Sequence, residues 1–216
     1  FTPNYDLLME EALEIFRVPY FDGFIGSREP FFDLASLEQD VLPDRWTRLW
    51  KLHGSLNWVK KSDGSVTRRS GPGTEAMIYP SHLKYDQSRR MPYLAMLDRL
   101  KSFMRESNAV LVCCGYSFAD DHLNEVILDG LRGNRTAQVF ALMYRDLNGS
   151  ADAVKLASKQ VNLTVIAHDG AVIGARSGRF LEVDRHQTSQ GTGYALVPVP
   201  GKPADHPTME ARCVLG

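Results

Sequence analysis

Cysteine is scarce in this chain, three among 216 residues, and no Cys-x-x-Cys pair occurs. Structural zinc ribbons draw on such pairs, so one is excluded within this chain. Two of the cysteines, Cys113 and Cys114, are neighbours whose pairing would be strained. Inside the run AVLVCCGY they read as small core residues. That usage points to a reducing compartment, and the cytoplasm is the expected location. Long apolar runs are missing too: none approaches the roughly 20 residues that span a bilayer, and no signal-peptide pattern opens the chain. An excess of one charge sign is equally absent. The formal net charge is −1, so no global pull toward nucleic acid or a membrane surface exists. Short basic clusters at Lys60-Lys61, Arg68-Arg69 and Arg89-Arg90 sit among acids and read as solvated loops. No internal repeat is visible.

What is present is the pattern of an α/β protein with room for a sizeable core. LLMEEALEIF places Leu7, Leu8, Met9, Ala12, Leu13 and Phe16 on one helical face, predicting a helix capped by Asn4 or Asp6. A short helix is expected around Phe32 to Gln39. RLWKLHGSLNWV predicts a strand around Trp50 to Leu52, a break at His53-Gly54-Ser55 and a second short strand. A loop from SDGS through SGPG, a strand from Ala76 to Pro80 and a helix over Tyr93 to Glu106 follow. AVLVCC, AQVFALMY and NLTVIAHDG are buried-strand candidates alternating with helices at HLNEVILDGL and Ala151 to Gln160. That alternation predicts a Rossmann-like, doubly wound, mostly parallel sheet with helices on both faces. In such a sheet ligands lie beyond the carboxyl ends of the strands, and three polar motifs fall near such ends: NYD, HGS and GYS. Residues 1–184 are expected to form this domain, and the Gly- and Pro-rich residues 185–216 an extension or tail.

TPNYDLL, KLHGSLNW and GYSFADDHLNEVI, in this order, resemble the sirtuin superfamily over roughly Phe1 to Tyr144. The likeness is nearest to the bacterial branch without a zinc ribbon that is associated with antiphage defence and destroys NAD. It implies that Thr2, Asn4 and Asp6 match the family's Thr-x-Asn-x-Asp signature. There Asn4 would lie beside the nicotinamide ribose, and Asp6 would face the nicotinamide amide. It implies that His53 is the catalytic histidine, and that Gly115, Tyr116 and Ser117 form the loop holding a ribose or phosphate of NAD. Asp121 is a further candidate for a ribose hydroxyl. The family's Gly-rich phosphate loop would lie before Phe1. NAD would be the substrate, and no metal is expected.

The chemistry suits these residue types. Breaking the N-glycosidic bond of NAD expels neutral nicotinamide and builds positive charge on the ribose. Histidine titrates near neutrality and can act as general base. An asparagine carboxamide offers donor and acceptor to orient a water or a ribose hydroxyl. Backbone N–H groups around Gly115 and the helix after it favour a pyrophosphate. Because a free NAD hydrolase harms its own cell, control by homo-oligomerisation or by a partner is expected, a helicase-like ATPase or an Argonaute-type protein as in relatives.

Other readings stand beside this one. The same residues could serve a protein deacylase, an ADP-ribosyltransferase, or a domain that senses NAD or ADP-ribose without turnover. GYSFA also imitates a nucleophile elbow, with Ser117, Asp152 and His168 in hydrolase order. Ala119 at the fifth position and Asp120-Asp121 at the helix start oppose that reading, and Asp120 and Asp121 read first as caps. The remaining histidines have no metal-site spacing.

Overall fold

The computed structural model describes residues 1–69, 92–182 and 194–198. The expected strand at Ala76 to Pro80, most of residues 185–216 and His82, His186 and His206 lie outside the described residues. The chain divides into two compact units, Phe1–Ser102 and Phe103–Gly216.

The first unit opens with α1 (Leu8–Ile15), followed by β1 (Tyr20–Phe21), β2 (Phe24–Ile25), β3 (Phe31–Phe32), α2 (Leu34–Gln39), β4 (Thr47–Arg48), β5 (Trp58–Lys60) and β6 (Val66–Arg68). The helix α3 (Tyr93–Arg105) runs across the division at Ser102. β1 and β4 pair in parallel. An antiparallel sheet follows the order β2-β3-β6-β5. Aromatic side chains fill its core: Phe24 lies 5.1 Å from Trp58 and 5.7 Å from Phe32 between ring centroids, and Trp58 lies 6.0 Å from Tyr93. Such tilted and edge-on packing suits the ring quadrupoles. Burial alone pushes the Tyr93 phenol up to about 12.

Expectations change at several points in this unit. SDGS is the turn of the β5–β6 hairpin and not the start of a loop, since Asp63 accepts from the Ser65 amide and hydroxyl and Gly64 takes φ +88°. The strand expected around Trp50 to Leu52 is displaced to Thr47–Arg48, leaving Lys51 as a single parallel bridge to Thr2. The α1 cap is not an N-cap side chain: Leu7 holds that position without a side-chain bond, and Asp6 Oδ1 accepts from Leu8 N at 3.1 Å one step earlier. Nor is the apolar face of α1 buried. Leu8, Met9, Ile15 and Phe16 are exposed, and the buried residue of this helix is Glu10.

The second unit contains β7 (Val110–Cys114), α4 (Asp121–Gly133), β8 (Gln138–Leu142), a 3₁₀ turn (Asn148–Ser150), α5 (Ala151–Ala157), β9 (Leu163–Ile166), β10 (Gly170–Ile173), β11 (Arg176–Glu182) and β12 (Tyr194–Pro198). The sheet order is β12-β11-β10-β9-β8-β7. β7, β8 and β9 are parallel, connected by α4 and α5 as the alternation requires. Val139, Ala141, Leu163, Val165, Ala171 and Val172 form its fully buried centre.

The mostly parallel, doubly wound sheet is corrected from β9 onward, where pairing is antiparallel. Three residues separate Ile166 from Gly170, too few for a crossover. Gly174 and Ala175, both at positive φ, then close the two-residue β10–β11 turn. β7 is also not buried as its composition suggests. It is the edge of the described sheet, with Val110 52% and Val112 53% exposed. Cys114 is exposed and Cys113 half-buried, so neither is a fully enclosed core residue.

Candidate functional site

In the first unit the chain folds TPNYD against WKLHGSL. Thr2 N donates to Trp50 O and Leu52 N donates to Thr2 O, each at 2.9 Å, and Leu56 N donates to Tyr5 O at 2.8 Å. These three bonds bracket Asn4 on one segment and His53 on the other, so the residues share one small region. Thr2 Oγ1 accepts from Asn4 N at 3.1 Å, shaping the segment from within. The Asn4 backbone is thereby held while its side chain is exposed. His53 is half-buried, next to a buried Gly54 at φ +88°, where Gly54 N donates to Lys51 O at 3.2 Å. Glycine is needed there because the left-handed backbone is strained for other residues. Asp6 is half-buried and gives one carboxylate oxygen to Leu8 N.

Sequence reasoning missed what lies beneath these segments. Lys51, 1% exposed, donates from Nζ to Glu10 Oε1 at 2.8 Å and also to the backbone carbonyl of Asp6. One buried cation therefore ties the segment that leads to His53 to the segment that carries Asn4. The signal was a lysine between Trp50 and Leu52 in an otherwise apolar stretch. Glu10 Oε2, Ser55 Oγ and Asn57 Oδ1 are buried without a hydrogen-bond partner among the described residues.

In the second unit, the turn after β7 carries Gly115, Tyr116, Ser117 and Asp121. Gly115 sits at φ +69° with nothing within 4 Å of an ideal Cβ position, and both it and Ser117 are exposed. Phe118 is buried at φ +59°, a left-handed conformation that costs on the order of 1–3 kcal/mol outside glycine. What holds it is a network. Tyr116 O–H lies 2.8 Å from Asn124 Oδ1 and 3.1 Å from Asp120 O, Asn124 Nδ2 donates to Phe118 O at 2.8 Å, and the Tyr116 and Phe118 rings lie 4.7 Å apart. Burial, then the Asp120 charge, pushes the Tyr116 phenol up, so it stays a donor at neutral pH.

Asp120 is the N-cap of α4, accepting from His122 N at 3.1 Å and Leu123 N at 3.3 Å. This narrows the anion-binding role expected of that helix start: two amides are occupied and a carboxylate stands there. Asp121 follows in the first turn and is exposed. The same cap weighs against a serine hydrolase, whose oxyanion needs free donors. Asp152 and His168 are exposed, and no hydrogen bond joins either to Ser117 among the described residues. The sequence-predicted residues thus form two groups: Thr2, Asn4, Asp6 and His53 in one unit, and Gly115, Tyr116, Ser117 and Asp121 in the other. Among the described residues no group of three or more His, Cys, Asp or Glu could hold a metal ion, and no helix is long and apolar enough to cross a membrane.

Residues 1–166 match the model of a family described as a SIR2-like domain. A search of curated proteins found no match.

Proposed function

Because this chain belongs to the SIR2-like domain family, we propose that it is an NAD hydrolase that splits the nicotinamide–ribosyl bond into nicotinamide and ADP-ribose. SIR2-like domains bind NAD, and members of the family are often NAD-dependent enzymes. The observation that most supports the reading is the pinning of the Thr2–Asp6 segment to Trp50–Leu56 by three backbone bonds. It gives Asn4 and His53 a common, rigid support, which a reaction with demanding orientation requires.

In this reading the C1′–N bond breaks with its electron pair leaving on neutral nicotinamide. A water oxygen bonds to C1′, and His53 accepts the proton that water loses. Asn4 orients the water or the ribose hydroxyl. Asp6 keeps one carboxylate oxygen beyond its bond to Leu8 N for the nicotinamide amide. Thr2 shapes the Asn4 segment, and Gly115, Tyr116, Ser117 and Asp121 are assigned to contacts with the rest of NAD. Transfer of the ADP-ribosyl group to another acceptor, as in deacylation or ADP-ribosylation, is the alternative fate of the same cleavage. Depletion of NAD in the cytoplasm during antiphage defence is the proposed role, restrained by homo-oligomerisation or by a helicase-like ATPase or Argonaute-type partner.

The test incubates the complete protein with NAD and follows nicotinamide. Release that disappears in both Asn4→Ala and His53→Ala, with NAD binding retained, supports hydrolysis. Release unchanged in either variant removes that residue from the mechanism. Binding without release under every activating condition favours a sensor.

A further inference from the structure

The Gly26–Pro30 loop joining β2 to β3 and the β5–β6 hairpin enclose an open groove of about 760 Å³ in the first unit. The two are stitched together where Arg68 N donates to Pro30 O at 2.8 Å and where Phe31 pairs with Thr67. Among the described residues four cations line the groove, Arg28, Lys61, Arg68 and Arg69, against one acid, Glu29. Two of the cations are compensated: Lys61 pairs with Glu29, and Arg68 pairs with the buried Asp22. Arg28 and Arg69 are exposed and have no ion-pair partner among the described residues. A concave surface with two uncompensated guanidinium groups is a site for a compact anion, because each planar fork matches phosphate oxygens bidentately. Ser27 adds a hydroxyl to the rim, and Thr67, 6% exposed, lies among the lining residues with Oγ1 3.5 Å from Val59 O.

We propose that this groove binds the di- or triphosphate of a free nucleotide, held by Arg28 and Arg69. The volume falls within the roughly 300–1,000 Å³ of small-molecule sites. A nucleic-acid strand carries the same phosphate chemistry but is bound through aromatic stacking platforms, and none of the described lining residues is aromatic. None of Asn4, Asp6 or His53 lines the groove, so it is a second site beside the proposed cleavage residues.

The test titrates the complete protein with inorganic tripolyphosphate, ATP and a single-stranded oligonucleotide by calorimetry. Tripolyphosphate and ATP bind one per chain, Arg28→Gln with Arg69→Gln weakens both roughly tenfold or more, and His53→Ala changes neither. Both arginines are exposed, so their replacement leaves the fold intact, which a thermal melt checks. The proposal is overturned by the absence of saturable binding, by binding that survives the double substitution, or by displacement of tripolyphosphate by NAD. It is equally overturned if the oligonucleotide binds through these arginines more tightly than ATP.

Discussion

Lys51 Nζ donates to Glu10 Oε1 at 2.8 Å with the two side chains 1% and 9% exposed, so the pair is shielded from solvent. Removing one member leaves the other charged and buried, which typically costs about 3–5 kcal/mol. Lys51→Met should destabilise the first unit by that amount in urea unfolding. Adding Glu10→Leu should recover much of the loss, because a buried pair replaced by apolar groups is often neutral. Recovery of stability without recovery of nicotinamide release would identify the Lys51 bond to the Asp6 carbonyl as the positioning contact.

Asn4→Ala and His53→Ala separate chemistry from folding. The Asn4 side chain is exposed, so its truncation should change stability by less than about 0.5 kcal/mol. His53→Ala should lower the rate of nicotinamide release by roughly 10²–10⁴, the usual contribution of a general base. Circular dichroism and a nicotinamide assay on the same samples check both statements.

Two glycines should respond unequally to a methyl group. At Gly115 an added Cβ meets nothing within 4 Å, so Gly115→Ala carries only the positive-φ strain of φ +69°, about 1 kcal/mol. At Gly170 the Cβ would lie 2.3 Å from the backbone O of Gly178 and 3.0 Å from Arg179 Cα. Gly170→Ala must part β10 from β11 and should cost several times more. Thermal melts of the two variants decide this.

Burial, and next the neighbouring Cys114, pushes the Cys113 thiol up to about 11. The thiolate is the nucleophile, so Cys113 is almost wholly protonated at pH 7, whereas Cys114 is exposed. Iodoacetamide should modify Cys114 well before Cys113, with sites located by peptide mass spectrometry. Equal rates would contradict the geometry of β7.

Burial raises the carboxyl pKa of Asp22, with Arg68 and the Phe24 amide pulling the other way. A group raised in the folded state contributes stability that is full below its unfolded pKa and lost as pH rises through its folded one. The wild type should therefore lose stability relative to Asp22→Asn as pH climbs from the ordinary carboxylate range, about 4, and then level off. Urea midpoints of both proteins, followed upward from about pH 3, below the ordinary carboxylate range, test the sign.

Local patterns were legible wherever one element decides its own fate. The short helix expected around Phe32 to Gln39 forms as α2, and the apolar spacing of Tyr93–Arg105 forms a helix as read. HLNEVILDGL likewise forms α4, which runs on to Gly133. The motif TPNYD was visible because Thr2, Asn4 and Asp6 set three short polar side chains at alternate positions just before a helical run. The role of Lys51 was not, since a lysine in an apolar stretch does not say whether it meets solvent or a glutamate 41 positions away.

The alternation of apolar runs and helices determined an α/β protein, and three ordered polar motifs determined its family likeness, because both are carried by neighbours in the chain. Tertiary structure alone decided that β10 to β12 turn back antiparallel, that β7 stands at the edge of the described sheet, and that Lys51 locks Asp6 to the segment before His53. Those outcomes depend on which surfaces meet across long sequence separations, where burial and pairing are cooperative and a residue's own type no longer predicts its partner.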